Sequence, residues 1–464
     1  MNILVVIPSD LYVRNYLTTS ALTSLEKSYK VSFLVSDTVK NLKPFHDKDF
    51  DLYDHDQKNH KRHFYIFDLL MWRYRNKSST FKFRLLRTQG LDFTTPSNIS
   101  LILKIVKILW RIIRYVYLKA RNYLLGSSLL FHPYFFYLKL KLKENSKIKS
   151  AILKYNPHLI IMPCSAYDPD GNDVLSISKA LEIKTFFLVD NWDNLSSKSI
   201  FWIKPNYLGV WGQQSLEHAI DIQGFSKEQI ILLGTPRFND YFKYRDQKLE
   251  SPYEFKYVLF VGTALPFDEP KALKFYEAIL EKNKNILQGL KLIYRPHPWR
   301  HKSIFASARK IDQKNFQHII LDKQIETAYL KNNTDTSFQP SLDYYPALIS
   351  NAEFVTGGLT SMLIESIIFR KIFLGLIHDD EKHFTSMHRV FTDYKHFEGI
   401  ESLDAVYLCD SLDLLESIFL EAFQSKNKID KSIIDNQRQF YYYSNNEDYA
   451  SILKNSCDKI LGRN

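Results

Sequence analysis

The segment VTGGLTSMLIE, residues 355–365, decides how the rest of the chain is read. Its apolar start has the composition of a strand, two glycines interrupt it, and the run beyond Thr360 and Ser361 turns helical. A helix N-terminus leaves backbone N–H groups unpaired and carries a partial positive charge, so a turn of this kind is suited to holding an anion. Gly357 and Gly358 would permit close approach, and the hydroxyls of Thr360 and Ser361 would add donors. Upstream, KLIYRPHP (residues 291–298) closes a second strand on Arg295, His297 and Pro298, whose charge and imidazole would complete an anion site.

Strands of the same short, β-branched kind recur along the whole chain in two series. The first is ILVVIP (3–8), VSFLVS (31–36), HLIIMP (158–163), TFFLVD (185–190), YLGVWG (207–212) and IILLG (230–234). The second is YVLFVG (257–262), KLIYRP (291–296), HIILD (318–322), EFVTGG (353–358), KIFLGLI (371–377) and VYLCD (406–410). Near-continuous apolar runs separated by polar helical stretches indicate parallel strands covered on both faces. The expected fold is therefore α/β, with two Rossmann-like doubly wound domains facing a cleft and ligands at the carboxyl ends of the strands. Residues 1–245 form the first domain, with a basic helical insertion at about 57–150; residues 246–430 form the second; residues 431–464 form a helical tail packing back on the body.

Composition narrows the function classes. With 464 residues and 45% hydrophobic content the chain is globular and large enough for two cores. Cys164, Cys409 and Cys457 are too few and too scattered for a disulfide framework or a zinc cluster, which fits a reducing compartment. The N-terminal MNILVVIPSD lacks the basic start of a secretion signal and reads as a first strand, so a cytoplasmic location is expected.

The net charge of +11 is concentrated in one place. Residues 57–143 hold eighteen Lys or Arg against Asp68 and Asp92, leaving the remainder of the chain net acidic. Within that region, LILKIVKILWRIIRYVYLKAR places Lys104, Lys107, Arg111 and Arg114 on one helical stripe amid a wide apolar surface. A cation at every turn disfavours a transmembrane span, which needs about 18 or more nearly uncharged residues. Two readings stand side by side: a helix lying on an anionic membrane surface at the inner face of the cell membrane, and a core-packed helix with a solvated stripe. No nucleic-acid module frames these residues, so nucleic acid is not expected as a partner.

Candidate site residues fall just after strands. In the second half these are Gly262, Thr263, Arg295, His297, Pro298, Gly357, Gly358, Thr360, Ser361 and Glu365, a set able to meet the phosphates, ribose and base of a nucleotide. In the first half, FLVDNWDNLSSKS (187–199) offers Asp190 and Asp193 as general bases, Trp192 as a stacking platform and Lys198 as a phosphate contact. YDPDGND (167–173) offers Asp170 as a competing base. Each has a plain structural alternative: tight turns for the glycines, helix caps for Thr360, Asp190 and Asp193. No Asp-x-Asp follows a second-half strand, so no metal and no cofactor beyond a nucleotide-linked donor are expected.

RPHP after one strand, and G-x-x-S with a downstream Glu after another, in the second half of a two-Rossmann chain resembles the GT-B glycosyltransferases of bacterial surface and capsular polysaccharide synthesis. Among them it is most similar to the transferases of CMP-activated acidic sugars such as Kdo and sialic acid, and to the CDP-glycerol glycerophosphotransferases. LLGTPRFNDYF (232–242) is similar to a Gly-x-Pro-Arg-x-Asp segment of the latter, and Asp170-Gly171 resembles the end of the acidic-acidic-Gly motif of bacterial sialyltransferases, with Pro169 standing between Asp168 and Asp170. The resemblance spans about residues 158–380 and implies that His297, Pro298, Thr360 and Ser361 contact donor phosphate and ribose. It also implies transfer from a CMP-, CDP- or UDP-linked donor to a glycan or lipid-linked glycan acceptor, inverting and without metal. Polyol-phosphate transfer, nucleotide-sugar 2-epimerisation and a non-catalytic nucleotide-binding scaffold are the alternatives.

Overall fold

A computed structural model describes residues 1–88, 100–265, 267–297, 316–330, 343–444 and 447–463. Pro298 lies outside them, as does Asp92. The chain divides into two compact units, one of residues 1–239 with 439–464 and one of residues 240–438.

The first unit is built on a seven-stranded sheet: β1 (Asn2–Ile7), β2 (Lys30–Ser36), β3 (Phe50–Tyr53), β4 (Leu159–Cys164), β5 (Lys184–Val189), β6 (Tyr207–Val210) and β7 (Ile230–Leu232). They lie in the order β3-β2-β1-β4-β5-β6-β7, with every described pairing parallel. The register sets Ile3 beside Val31 on one side and beside Leu159 on the other, so strand order reverses at the β1–β4 junction. Two apolar layers cover the sheet. One contains Leu25, Phe33, Leu453, Cys457 and Ile460, so the last helix, Tyr449–Leu461, packs onto the first strands. The other contains Ile152, Val174, Phe187 and Leu195.

The second unit carries β8 (Tyr257–Val261), β9 (Lys291–Arg295), β10 (Ile319–Leu321), β11 (Val355–Gly358), β12 (Phe373–Leu376) and β13 (Val406–Cys409). Their order, β10-β9-β8-β11-β12-β13, is again parallel and reverses between β8 and β11. The opening segment thus lies at the reversal point of its own sheet, the position where ligands of open α/β sheets bind.

All twelve expected strands are present, and β3 is an addition. FDLY escaped the sequence reading because it is a short edge strand with Asp51 and an exposed Leu52, not the continuous apolar run of a central strand. The basic region is helical, comprising Gln57–Arg73, Ser79–Thr88, Leu101–Leu125 and Phe131–Leu140. Most of it is ordinary packed protein: Ile66, Leu70, Trp72, Phe81 and Phe131 share a core with Ile200 and Ile222. The helix Leu101–Leu125 is different, since none of its residues is buried.

Candidate functional site

At the reversal point of the second unit, the glycines have a reason the sequence reading did not foresee. Gly357 adopts φ +140°, and a Cβ there would fall 2.2 Å from the Val261 carbonyl oxygen of β8. At Gly358 a Cβ would meet Thr263 Cγ2 at 2.5 Å, and at Gly262 it would meet the His297 backbone nitrogen at 2.9 Å. These glycines let neighbouring strand ends close on one another, so their first use is packing of the edge.

The hydroxyls divide. Thr263 is buried and used within its own loop, its Oγ1 donating to the Leu265 carbonyl at 2.6 Å and its backbone N–H to Glu269 Oε1 at 3.2 Å. Thr360 Oγ1 accepts from the Met362 N–H at 3.0 Å, the capping alternative. Ser361, half-buried at the start of the short helix Met362–Ile368, keeps a hydroxyl with no hydrogen-bond partner among the described residues. His297 is half-buried immediately past β9.

Arg295 and Glu365 point inward. Arg295 is 5% exposed; its guanidinium lies over the Tyr345 ring at 4.3 Å and donates to the Tyr345 hydroxyl, while its Nε has no partner among the described residues. Burial opposes its charge, but Tyr345, Asp322 and Glu365 together hold it on. Glu365, counted above among the nucleotide-facing candidates, is fully buried, with Oε2 accepting from the Tyr241 hydroxyl at 2.9 Å. Both side chains lie inside the unit, behind the edge.

One edge residue was missed. His378 follows β12, is 5% exposed, and has neither ring nitrogen hydrogen-bonded among the described residues. Burial lowers its pKa, so the ring is neutral and presents one donor and one acceptor, edge-on to Phe267 at 6.2 Å. Its place directly after a strand, in IHDD, is the signal that could have found it.

In the first unit, two loops, after β4 and after β5, bring carboxylates to the carboxyl edge. Asp190, at the end of β5, is half-buried, and burial pushes its pKa to about 6 against the pull of Arg237, Lys198 and Arg14. That value suits a general base near neutrality. Asp193 Oδ2 accepts from the Ser197 hydroxyl at 2.6 Å, and its side chain makes no backbone cap to the short helix Asn194–Ser197. Trp192, expected to stack on a sugar, is 2% exposed and packs edge-on against Tyr441 at 5.8 Å, a core position. Lys198 is half-buried, its carbonyl accepting from Arg84 Nη1 at 2.9 Å.

Beyond β4, Asp168 caps the helix Pro169–Ala180 through the N–H groups of Asp170 and Gly171. Burial and the neighbouring Asp170 charge raise its pKa. Asp170 goes the other way: burial would raise it, but hydrogen bonds from His55 and His60 outweigh that and hold it at about 2. Such a carboxylate is a weak base, and it orients the two imidazoles. His55 and His60 escaped notice because they follow β3, an unrecognised strand, His55 in the loop and His60 in the first turn of the next helix; their signal was three histidines, 55, 60 and 63, within nine residues. His55, His60 and Asp170 are also the described residues able to hold a metal ion together.

A cavity of about 830 Å³ opens in the first unit beside Lys184, Thr185 and Asn206, at the starts of β5 and β6. From there it runs along the helix Pro169–Ala180 past Lys179 and Ser176 to Asp173, Asn172 and His63.

No protein-family model matches the chain, and no curated protein matches it. Solved structures do resemble it. The UDP-GlcNAc 2-epimerase of Methanocaldococcus jannaschii aligns over 98% of this chain and 99% of its own, with a TM-score of 0.51 and 11% identity. The UDP-GlcNAc 2-epimerase of Neisseria meningitidis bound to UDP-GlcNAc covers 100% of both chains, with a TM-score of 0.51 and 8% identity. A glycosyltransferase from Rickettsia africae covers 99% of this chain and 97% of its own, with a TM-score of 0.50 and 10% identity. Two parallel sheets of seven and six strands with their flanking helices therefore give this chain the GT-B-like fold of two Rossmann domains, which nucleotide-sugar epimerases and glycosyltransferases share.

Proposed function

We propose that this protein is an inverting glycosyltransferase that moves a sugar from a CMP-, CDP- or UDP-linked donor onto a glycan acceptor at the inner face of a membrane, with no metal on the donor phosphates. The observation that carries this reading is the convergence of β8, β9, β11 and β12 ends at the reversal point of the second unit. There Ser361 offers an unengaged hydroxyl, His378 an unengaged imidazole, and His297 a second imidazole. These groups supply donors where negative charge grows on the departing phosphate, the place where electrostatic stabilisation accelerates transfer. Thr360 serves the same turn as its cap, Gly262, Gly357 and Gly358 close the strand ends together, and Arg295 with Glu365 fixes the loops from within. Pro298 keeps the donor-loop role suggested by its motif.

In the first unit, Asp190 takes the proton of the attacking acceptor hydroxyl. It is the carboxylate poised near neutrality, whereas Asp170 is held ionised by two histidines and Asp193 is tied to Ser197. Lys198 and Arg237 keep enough positive field for Asp190 to ionise.

Membrane attachment falls to the helix Leu101–Leu125. Leu101, Ile102, Trp110, Ile113 and Tyr117 are each at least 60% exposed, an apolar face that soluble proteins seldom show to water. Lys104 and Arg111 lie on its less exposed side, and no acidic residue occurs from 101 to 143. A helix with this distribution buries its apolar face among lipid chains while flanking cations meet anionic head groups. No helix among the described residues is long and apolar enough to cross a membrane.

The test is a thermal-shift series with CMP, CDP, UDP and GDP, since a ligand that binds only the folded state raises the melting temperature. Stabilisation by one nucleotide, lost in Ser361→Ala, supports the donor site; no shift with any of them rejects it. The fold shared with UDP-GlcNAc 2-epimerases favours one second reading, epimerisation of the donor itself. Turnover of nucleotide-sugar without any acceptor would select it. Incubation with CDP-glycerol tests the polyol-phosphate alternative.

A further inference from the structure

We propose that His55, His60 and Asp170 form a binding site for a zinc-class divalent cation in the first unit, distinct from the donor site and independent of the transferase reading. Three potential ligand atoms converge there. His60 Nε2 is 2.8 Å from Asp170 Oδ1, His55 Nδ1 is 3.2 Å from the same oxygen, and the two nitrogens are 3.3 Å apart. A tetrahedral ion with bonds of about 2.0 to 2.1 Å sets its ligand atoms about 3.3 Å from one another. The triangle therefore already has close to the dimensions of one face of that tetrahedron. Two imidazoles and a carboxylate are a donor set that zinc and its neighbours favour.

The surrounding hydrogen bonds are those a ligand set requires. The remote nitrogen of His55, Nε2, lies 2.7 Å from Ser36 Oγ, which fixes the ring and leaves Nδ1 free to bind through its lone pair. The second oxygen of Asp170 accepts from the buried Tyr53 hydroxyl at 3.1 Å, so Oδ1 is the oxygen left for the ion. The His55 and His60 side chains are 18% and 20% exposed, so an ion has an entry path and a fourth position open to water. Asp37 and Asp168 add negative field around His55.

The site also joins segments that are far apart in the chain. His55 follows β3, His60 lies in the first turn of the helix Gln57–Arg73 that Asp56 caps, and Asp170 lies in the first turn of the helix Pro169–Ala180. A bound ion would clip these three together and stabilise the folded state in proportion to its occupancy. Its ligands must be deprotonated, so binding weakens as pH falls.

The experiment uses the full chain, stripped with chelator and titrated with Co²⁺ as an optical probe and with Zn²⁺ in competition. One equivalent should bind with the visible d–d absorption of a tetrahedral site, and Zn²⁺ should displace it. His60→Ala, a partly exposed position that should fold, and Asp170→Asn should each weaken binding more than about 100-fold; Ser36→Ala should weaken it about 10- to 100-fold. His46→Ala, exposed and elsewhere, serves as the control and should bind normally. Zn²⁺ should raise the melting temperature of the parent protein and leave that of His60→Ala unchanged. Absence of saturable binding, or unaltered binding in His60→Ala, would overturn the assignment and leave a hydrogen-bonded His–Asp–His cluster.

Discussion

Replacing Asp190 by asparagine should make the protein more stable and less active at once, and pH separates the two effects. In the folded chain its pKa stands at about 6, above the ordinary value of 3.8, with burial as the main cause. A carboxyl group whose folded pKa is raised favours the folded state most while protonated, below pH ~4, and this advantage is lost as pH rises through about 6. A displacement of about two units corresponds to about 3 kcal/mol, and about 1.4 kcal/mol of it falls between pH 5 and pH 8. Asparagine has nearly the same shape and no charge to bury, so Asp190→Asn should gain stability relative to the parent as pH rises. Denaturant unfolding of both proteins across that interval measures the difference. Turnover should fall at least 100-fold, the scale of a lost general base, while nucleotide binding stays nearly intact. In the parent, kcat should rise with pH through about 6 as the carboxylate forms. A stability difference that is flat with pH refutes the buried, proton-poised carboxylate; full activity in the variant moves the base elsewhere.

Other predictions concern the remaining sites. His378→Ala should weaken binding of whichever nucleotide stabilises the protein by about five- to tenfold, about one neutral hydrogen bond, as calorimetry would record; unchanged affinity would remove His378 from the donor site. His297→Ala should lower both donor affinity and turnover, and unaltered kinetics would count against the donor assignment. Changing Lys104, Lys107, Arg111 and Arg114 to Gln should weaken co-sedimentation with anionic vesicles by about 30-fold, at about 1 kcal/mol for each of the two outward cations, Lys107 and Arg114, with little effect on neutral vesicles. Trp110→Asp with Ile113→Asp should abolish vesicle binding without lowering the melting temperature, because neither side chain is buried. Binding unchanged in both variants would reject the membrane surface.

The sheets were legible because central parallel strands must be apolar on both faces, and runs such as ILVVI and YVLFV have few other uses. The edge strand FDLY was not, since only Tyr53 of its four residues is buried. That the candidate residues fall at or just after strand ends could also be read, as strand ends are visible in the sequence; their orientation could not. Arg295 ends its strand and Glu365 lies on the helix after β11, as expected, yet their side chains turn into the unit, toward Tyr345 and Tyr241. Trp192 follows a strand as an acceptor platform would, but Tyr441, distant in sequence, packs against its ring. His55 and Asp170 are 115 residues apart, and only the β3–β2–β1–β4 order brings them together. For the glycines, residue type was informative and cause was not: the same residue permits a ligand or a neighbouring strand, and at Gly357 the neighbour is the Val261 carbonyl.

The packing of Tyr449–Leu461 onto the first sheet has a consequence for biosynthesis. Tyr449, Leu453, Cys457 and Ile460 complete a layer begun by Ile3, Leu25 and Phe33, so a core opened by those residues is closed only by residues synthesised after the whole second unit. The second unit, contiguous from 240 to 438, can reach its native contacts while the first still exposes part of its interior. Chaperone dependence should therefore concentrate in that interval, and a chain ended before residue 449 should aggregate through its N-terminal sheet.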